Sequence, residues 1–251
     1  MATYDLRPLS VGEILDRGIG LYRDHFVTLV GIAAVCQGPA TVVNLYVALG
    51  GGVLEHGGLW FLASVLNFLG YLLAAGATLH VISDAYLGHQ PDLGTALRFA
   101  GRKMWPLFVA GASSGIVIFL AALLLFVPGV IVACGYSVVS PVVVLETLDR
   151  SSDALKRSWA LTKGAKGKAF TLFVVAFVLV FLPGMAVNFV LLMALRSTPE
   201  VGQTLAQVLY LVVRPIVACM FTLFYYDLRV RKEGFDLELL AQQIGVGAAT
   251  V

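Results

Sequence analysis

The chain has 251 residues, of which 59% are hydrophobic and only 13% charged, with a mean hydropathy of +0.89 and a net charge of +2. A soluble domain carries roughly 25% charged residues, so this composition is too poor in polar groups to cover a water-soluble globule and predicts a protein dissolved in lipid. The balance of 17 Lys/Arg against 15 Asp/Glu excludes the basic excess of a nucleic-acid binder.

The first 25 residues carry Asp5, Arg7, Glu13, Asp16, Arg17, Arg23 and Asp24 and no apolar core. That pattern is not a cleavable signal peptide, so the first span is expected to act as its own insertion signal. Ser10 followed by Glu13 is a capping box. Val11, Ile14, Leu15, Gly18 and Tyr22 recur at helical spacing, and Glu13 and Arg17 form a favourable i,i+4 pair on the opposite face. These features predict an amphipathic helix over 11–24, lying in the cytoplasmic membrane interface.

A bilayer core of roughly 30 Å needs about 20 apolar residues per helix. The first span is expected at 26–49, interrupted by Gly38-Pro39, and the second at 59–86. A second interfacial helix is predicted over 93–104, capped by Asp92, with Leu93, Ala96, Leu97, Ala100 and Met104 as its stripe. The apolar run from Trp105 to Leu145 is twice the length one span needs. It divides into spans at 106–126 and 130–145 about a turn at Val127-Pro128-Gly129. Gly111 and Gly115 in the third span have the GxxxG spacing of close helix packing. A third interfacial helix is expected over 153–163. A fifth span follows at 169–195, kinked at Pro183-Gly184, and a sixth at 203–228 contains Arg214-Pro215. The fold class is therefore all-α, a single integral membrane bundle of about six transmembrane helices with three cytoplasmic interfacial helices.

Of the 17 Lys/Arg, fifteen fall in the N-terminal segment, 87–104, 146–168 and the tail from Arg229, which six spans place on one side. The opposite loops, 50–58, 127–129 and 196–202, hold only Arg196, and Arg214 lies within a span. By the positive-inside rule the rich side is cytoplasmic and holds both termini. Trp60 at outer ends and Trp105 and Trp159 at inner ends suit aromatic belts. Val11-Gly12-Glu13-Ile14-Leu15 aligns with Leu93-Gly94-Thr95-Ala96-Leu97, and 153–163 follows more weakly. The chain thus reads either as three units of helix plus hairpin or as three hairpins with similar lead-ins.

Three stretches carry a family resemblance. They are Arg7-Pro8-Leu9-Ser10-Val11-Gly12-Glu13-Ile14-Leu15-Asp16, Ala154-Leu155-Lys156-Arg157-Ser158-Trp159-Ala160-Leu161-Thr162-Lys163-Gly164, and Tyr225-Tyr226-Asp227-Leu228-Arg229-Val230-Arg231-Lys232-Glu233-Gly234-Phe235-Asp236-Leu237. Together the chain resembles bacterial multi-pass proteins named for the membrane domain of glycerophosphoryl diester phosphodiesterase. The resemblance implies a stand-alone membrane domain in the bacterial cytoplasmic (inner) membrane. It does not imply hydrolase activity, because the His-Arg-Gly strand end and clustered carboxylates of the soluble enzyme are missing.

Cys36, Cys134 and Cys219 sit in apolar runs without a CxxC or Cys/His ligand spacing, so they read as small buried hydrophobes. No nucleotide-binding GxxxxGK[ST] pattern occurs, and no cofactor is expected. His80 and Asp84, four apart near the inner end of the second span, form a candidate pair, read as a helix-end contact rather than a metal site. His25, His56 and His89 read as surface. Arg214 stands out, because an arginine at bilayer centre costs about 2.5–3.5 kcal/mol on insertion scales and marks a functional candidate. Counting at 1.5 Å per residue puts Asn44, Asn67 and Asn188 at similar outer depths, so the four are expected to converge inside the bundle. Two versions stand open: structural glue, in which asparagine carbonyls and a carbonyl freed by Pro215 satisfy Arg214, or a pocket that takes an anionic group. The functional expectation is a non-enzymatic protein scaffolding or regulating an envelope or lipid process; the alternative is a carrier or binder of a small anionic solute or lipid. Expected partners are the lipid bilayer, other membrane proteins or anionic lipid.

Overall fold

The computed structural model describes residues 7–52, 55–148, 150–235 and 237. Asp5, Asp236 and the C-terminus at Val251, which enter the reading above, lie outside them. Among the described residues every regular element is helical. In chain order these are α1 (Val11–Asp24), α2 (Phe26–Leu49), α3 (Gly57–Tyr86), α4 (Leu93–Leu124), α5 (Phe126–Gly135) and α6 (Val139–Leu145). They continue with α7 (Asp153–Thr162), α8 (Lys166–Ala176), a π-helical turn (Phe177–Phe181), α9 (Leu182–Ala194) and α10 (Pro199–Glu233). Six stretches are long and apolar enough to cross a membrane: α2, α3, α4, Phe126–Leu145, Lys166–Ala194 and α10. The protein is an all-α membrane bundle. Its flanks expose Leu120, Leu124, Phe126, Phe177, Leu182 and Phe189, a surface suited to lipid and not to water.

Local chemistry explains the elements. At α1 the Ser10 side chain accepts from the Glu13 N–H, and Glu13 accepts from the Ser10 N–H. This satisfies two of the donors that a helix start leaves unpaired. Glu13 also pairs with Arg7. The apolar stripe of α1 faces protein: Ile14 and Leu21 are buried, and a Cβ at Gly18 would touch Met220 and Leu223 of α10.

Several boundaries differ from the sequence reading. Residues 93–104 are not a separate interfacial helix, since α4 runs unbroken from its Asp92 cap through Pro106 into the span. The chain turns at Leu125, extended at φ −160° and ψ 141°, and not at 127–129. Pro128 falls in the first turn of α5, where its missing N–H would be unpaired anyway. Gly129 lets α5 approach α4 closely, because a Cβ there would lie 2.7 Å from Ala122. The fourth span is split between α5 and α6. In the fifth, the irregularity precedes Pro183: the Leu182 N–H bonds to the Phe177 carbonyl, an i−5 bond. A proline at 183 cannot donate to Leu179, and the widened turn absorbs that loss. Gly111 and Gly115 are exposed, with nothing within 4 Å of a Cβ built on either, so their spacing packs no helix among the described residues. The close approaches lie at Gly70, where a Cβ would meet the Cys36 carbonyl at 2.1 Å, and at Gly76, against Ala100 and Leu107 of α4.

The segments rich in Lys and Arg gather at one end. Asp227, its side chain fully buried, accepts from the Leu9 N–H at 2.7 Å, Lys168 Nζ at 2.6 Å and Arg231 Nε at 2.9 Å. Lys168 and Arg231 also donate to the Leu9 carbonyl. Glu146 accepts two bonds from Arg157 and one from the Tyr225 hydroxyl, and Arg157 reaches on to Glu233. Lys103 caps the carbonyls of Val143 and Glu146, and Lys232 those of Ala160 and Lys163. Residues 219–228 of α10 are buried without a break, which a helix shows only when surrounded on all faces. Packing loosens toward the other end: α9 buries no residue.

Candidate functional site

Arg214 sits on α10 where this packing gives way. The preceding half of the helix is only partly covered, and the following residue, Pro215, is buried. Pro215 has no N–H, so the carbonyl of Leu211 loses its helical donor. The guanidinium does not turn to that carbonyl. It stacks on the ring of Tyr71 in α3, with Cζ 3.8 Å from the centroid. Among the described residues no hydrogen bond or ion pair joins it to any neighbour.

Two cavities meet at Arg214. The larger, about 400 Å³, is walled by α2, α3, α8, α10 and the α5–α6 junction; its polar lining is Gln37, Tyr71, Thr78, Ser137, Ser140 and Arg214. The remainder is apolar, including Leu79, Phe173, Val217 and Phe221. The smaller, about 170 Å³, is lined by Gln37, Thr41, Asn67, Gln207, Tyr210, Leu211 and Arg214. Gln37, Leu211 and Arg214 border both. The side chains of Gln37, Tyr71, Thr78, Ser140, Asn67, Gln207 and Tyr210 make no hydrogen bond to any described residue. Yet no fully enclosed side-chain N or O is left without a partner among the described residues. The side chains of Gln37, Thr78, Asn67 and Tyr210 therefore keep polar surface open beside the cavities they line, and Tyr71, Ser140 and Gln207 are exposed, so a ligand or water can reach them. A planar guanidinium among amides and hydroxyls, in a volume typical of small-ligand pockets, is suited to hold an oxyanion by charge-assisted hydrogen bonds.

Of the four residues expected to converge, Arg214 and Asn67 do. Asn44 and Asn188 line neither cavity. Asn44 lies beyond Thr41 toward the charge-poor end of α2, about 10 Å along the axis from Gln37 at 1.5 Å per residue. Asn188 is carried by α9, which packs chiefly on α10. Both are half-buried. Asn67 shares the smaller cavity with Arg214 but makes no hydrogen bond to it, so no asparagine carbonyl among the described residues satisfies the guanidinium. Sequence reasoning missed Gln37, Tyr71, Thr78, Ser140 and Tyr210; the available signal was Gln37, an amide midway along an apolar span.

His80 and Asp84 do meet, with Nδ1 and Oδ1 3.6 Å apart, and the imidazole packs on Phe99 at 4.4 Å between centroids. No group of three or more His, Cys, Asp or Glu able to hold a metal occurs among the described residues. The pair lies within α3, and the packing of His80 on Phe99 ties the charge-rich end of α3 to α4. No family model, curated protein or solved structure matches the chain.

Proposed function

We propose that the protein is a non-enzymatic membrane protein that binds an anionic group, carried by a small solute or a lipid headgroup, at Arg214. The observation that carries this reading is a guanidinium inside the bundle with an aromatic ring beneath it, open polar groups around it and no counter-charge among the described residues. Burying that charge costs about 2.5–3.5 kcal/mol. Stacking on Tyr71 returns up to about 2 kcal/mol. Each charge-assisted bond to an anion adds about 1.5–3 kcal/mol, enough to reverse the balance. The lining offers no carboxylate, imidazole or thiol among the described residues, which favours binding over acid–base or nucleophilic chemistry. The family resemblance, a bacterial cytoplasmic membrane and a cytoplasmic charge-rich end belong to the same proposal.

The test is thermal unfolding of purified protein in a non-ionic detergent. Inorganic phosphate probes a free anion, and short-chain phosphatidylglycerol, with phosphatidylcholine as control, probes a headgroup. A ligand at one hundred times its Kd stabilises by about 2.7 kcal/mol, a rise of roughly 5–10 °C. The rise is expected with phosphate or phosphatidylglycerol and is expected to vanish in Arg214→Gln. A cavity that holds only water predicts no rise with either, and that result refutes the proposal.

A further inference from the structure

We propose that Arg214 is the midpoint of a translocation path, the two cavities being the halves of a route by which the bound anionic group crosses the bilayer. This rests on the binding reading above and goes beyond it. Three helices independently set the cavities in one order along the membrane normal. On α2, which runs outward from the charge-rich end, Ala33 lines the larger cavity, Gln37 both, and Thr41 the smaller. On α3, which runs back, Asn67 lines the smaller cavity, and Tyr71 and Thr78 the larger. On α10, parallel to α3, Gln207 lines the smaller, Leu211 and Arg214 both, and Phe221 the larger. The smaller chamber therefore lies toward the charge-poor end and the larger toward the charge-rich end. Arg214, Gln37 and Leu211 form the wall between them.

From Gln207 to Phe221 is 14 residues, about 21 Å at 1.5 Å per residue, of a core roughly 30 Å thick. A simple binding site has no use for space along two-thirds of the membrane, on both sides of its only guanidinium. The wall helices also carry weak points at this level. Pro39 follows Gln37 by two residues within α2, Pro215 follows Arg214 within α10, and the π-helical turn begins four residues after Phe173. Prolines and π-helical turns are where helices bend, and bends around a midplane site let one half of a bundle move against the other. The half of α10 beyond Arg214 toward the charge-rich end is held by the Asp227 clamp, while the opposite half is partly exposed and packs on α9, which buries nothing. The charge-poor half is the part free to shift, opening the path alternately to either side of Arg214.

The path is tested without knowing its natural cargo. Gln207→Cys in the smaller chamber and Ser140→Cys in the larger are made with Cys36, Cys134 and Cys219 replaced by alanine. Each is reconstituted in oriented phosphatidylcholine vesicles and treated from either side with a membrane-impermeant anionic methanethiosulfonate. Gln207→Cys is expected to react at least ten-fold faster from the charge-poor side, and Ser140→Cys at least ten-fold faster from the charge-rich side. Two flux arms then separate the sources of the anion: uptake of radiolabelled inorganic phosphate, and loss of dithionite protection by a headgroup-labelled phosphatidylglycerol. One arm is expected to exceed empty vesicles at least ten-fold, to fall to background in Arg214→Gln and to persist in part in Arg214→Lys. Both cysteines reacting from one side, or neither arm exceeding empty vesicles, overturns the path. If either happens while phosphate or phosphatidylglycerol still raises the Tm of the wild type, only the path falls; if the thermal response is also missing, the binding reading falls with it.

Discussion

Asp227→Asn is the sharpest test of how the charge-rich end is held together. The substitution keeps the shape of the side chain and one carbonyl oxygen, and removes the charge. In the native protein Oδ1 accepts from the Leu9 N–H and Arg231, and Oδ2 from Lys168. A charge-assisted bond contributes about 1.5–3 kcal/mol and a neutral one about 0.5–1.5 kcal/mol. Asparagine retains the Oδ1 bonds in their weaker, neutral form, losing about 1 kcal/mol at Leu9. The loss at Arg231, whose side chain is 46% exposed, is about half that after solvent screening. At Oδ2 an amide N–H replaces an acceptor and faces the Lys168 ammonium, so about 2 kcal/mol is lost there. Lys168 still donates to the Leu9 carbonyl and is not orphaned. The expected total is about 3.5 kcal/mol, in the lower half of the range for breaking a buried ion pair. At 2–4 °C per kcal/mol for chains of this size, Tm in detergent should fall by roughly 7–14 °C. Lys156→Ala is the control: that side chain is 87% exposed and lies 3.9 Å from Asp153, so its loss should cost less than about 1 kcal/mol. An Asp227→Asn protein that unfolds within about 2 °C of the wild type, or no lower than Lys156→Ala, refutes the clamp.

The other predictions concern the helix contacts and α1. Gly70→Ala places a Cβ 2.1 Å from the Cys36 carbonyl, so α2 and α3 must separate at a cost of about 1–3 kcal/mol. Gly115→Ala meets nothing within 4 Å and should be neutral or slightly stabilising. Thermal unfolding of the two side by side checks this, and the reverse order contradicts the packing described. The Ser10 N–H that Glu13 accepts, and then Arg7, hold the Glu13 carboxylate at about 2, below the usual carboxylate range. Because the folded value is the depressed one, its contribution is complete above the ordinary carboxylate range and is lost as pH falls through about 2. Hydrogen-exchange protection factors in residues 11–21, corrected for the intrinsic pH dependence of amide exchange, should fall across that interval in the wild type and stay constant in Glu13→Gln. Equal changes in protection in both proteins contradict a stabilising capping box.

What could be read from the sequence was whatever is encoded locally or by composition. The helix over 11–24 was legible because Ser10 and Glu13 name each other at a spacing of three, and the apolar stripe supplies the period. The polar face of that helix, however, says nothing about whether its apolar face meets lipid or protein, and it meets α10. Segment ends were less legible. Pro106 lies at the point where lead-in and span join, and a proline within a helix removes one bond without fixing a boundary. Leu125, where the chain does turn, has no turn chemistry at all; what accompanies the reversal is a tertiary contact, the close packing of Gly129 on Ala122. For the site, residue counting estimates depth but not direction around the helix axis, nor which helices are neighbours. Depth alone grouped Asn44 and Asn188 with Arg214, while the helices that wall the cavity brought in Gln37 and Tyr71 instead.

The position of Arg214 follows from a conflict between the two ends of α10. At the charge-rich end the helix is surrounded, with Phe224, Tyr225, Tyr226 and Asp227 all buried and Asp227 clamped from α8 and the N-terminal segment. A guanidinium there would need a carboxylate, and those at hand are engaged: Asp227 by Lys168 and Arg231, Glu146 and Glu233 by Arg157. Toward the opposite end the flanks meet lipid, where an unpaired cation is most costly. Between these limits the close packing stops before the lipid-facing surface begins, leaving space lined by amides and hydroxyls. A long cationic side chain can be kept there without a permanent counter-ion, because Tyr71 covers one face of it and the cavity admits solvent or ligand to the other. Arginine at this level is therefore compatible with folding only because the cavity exists. Filling the cavity from the apolar side, for instance with Ala75→Leu, would remove the solvating space and leave the charge to lipid-like surroundings. The site and its cavity stand or fall together, which distinguishes this arginine from one retained merely as a surface anchor.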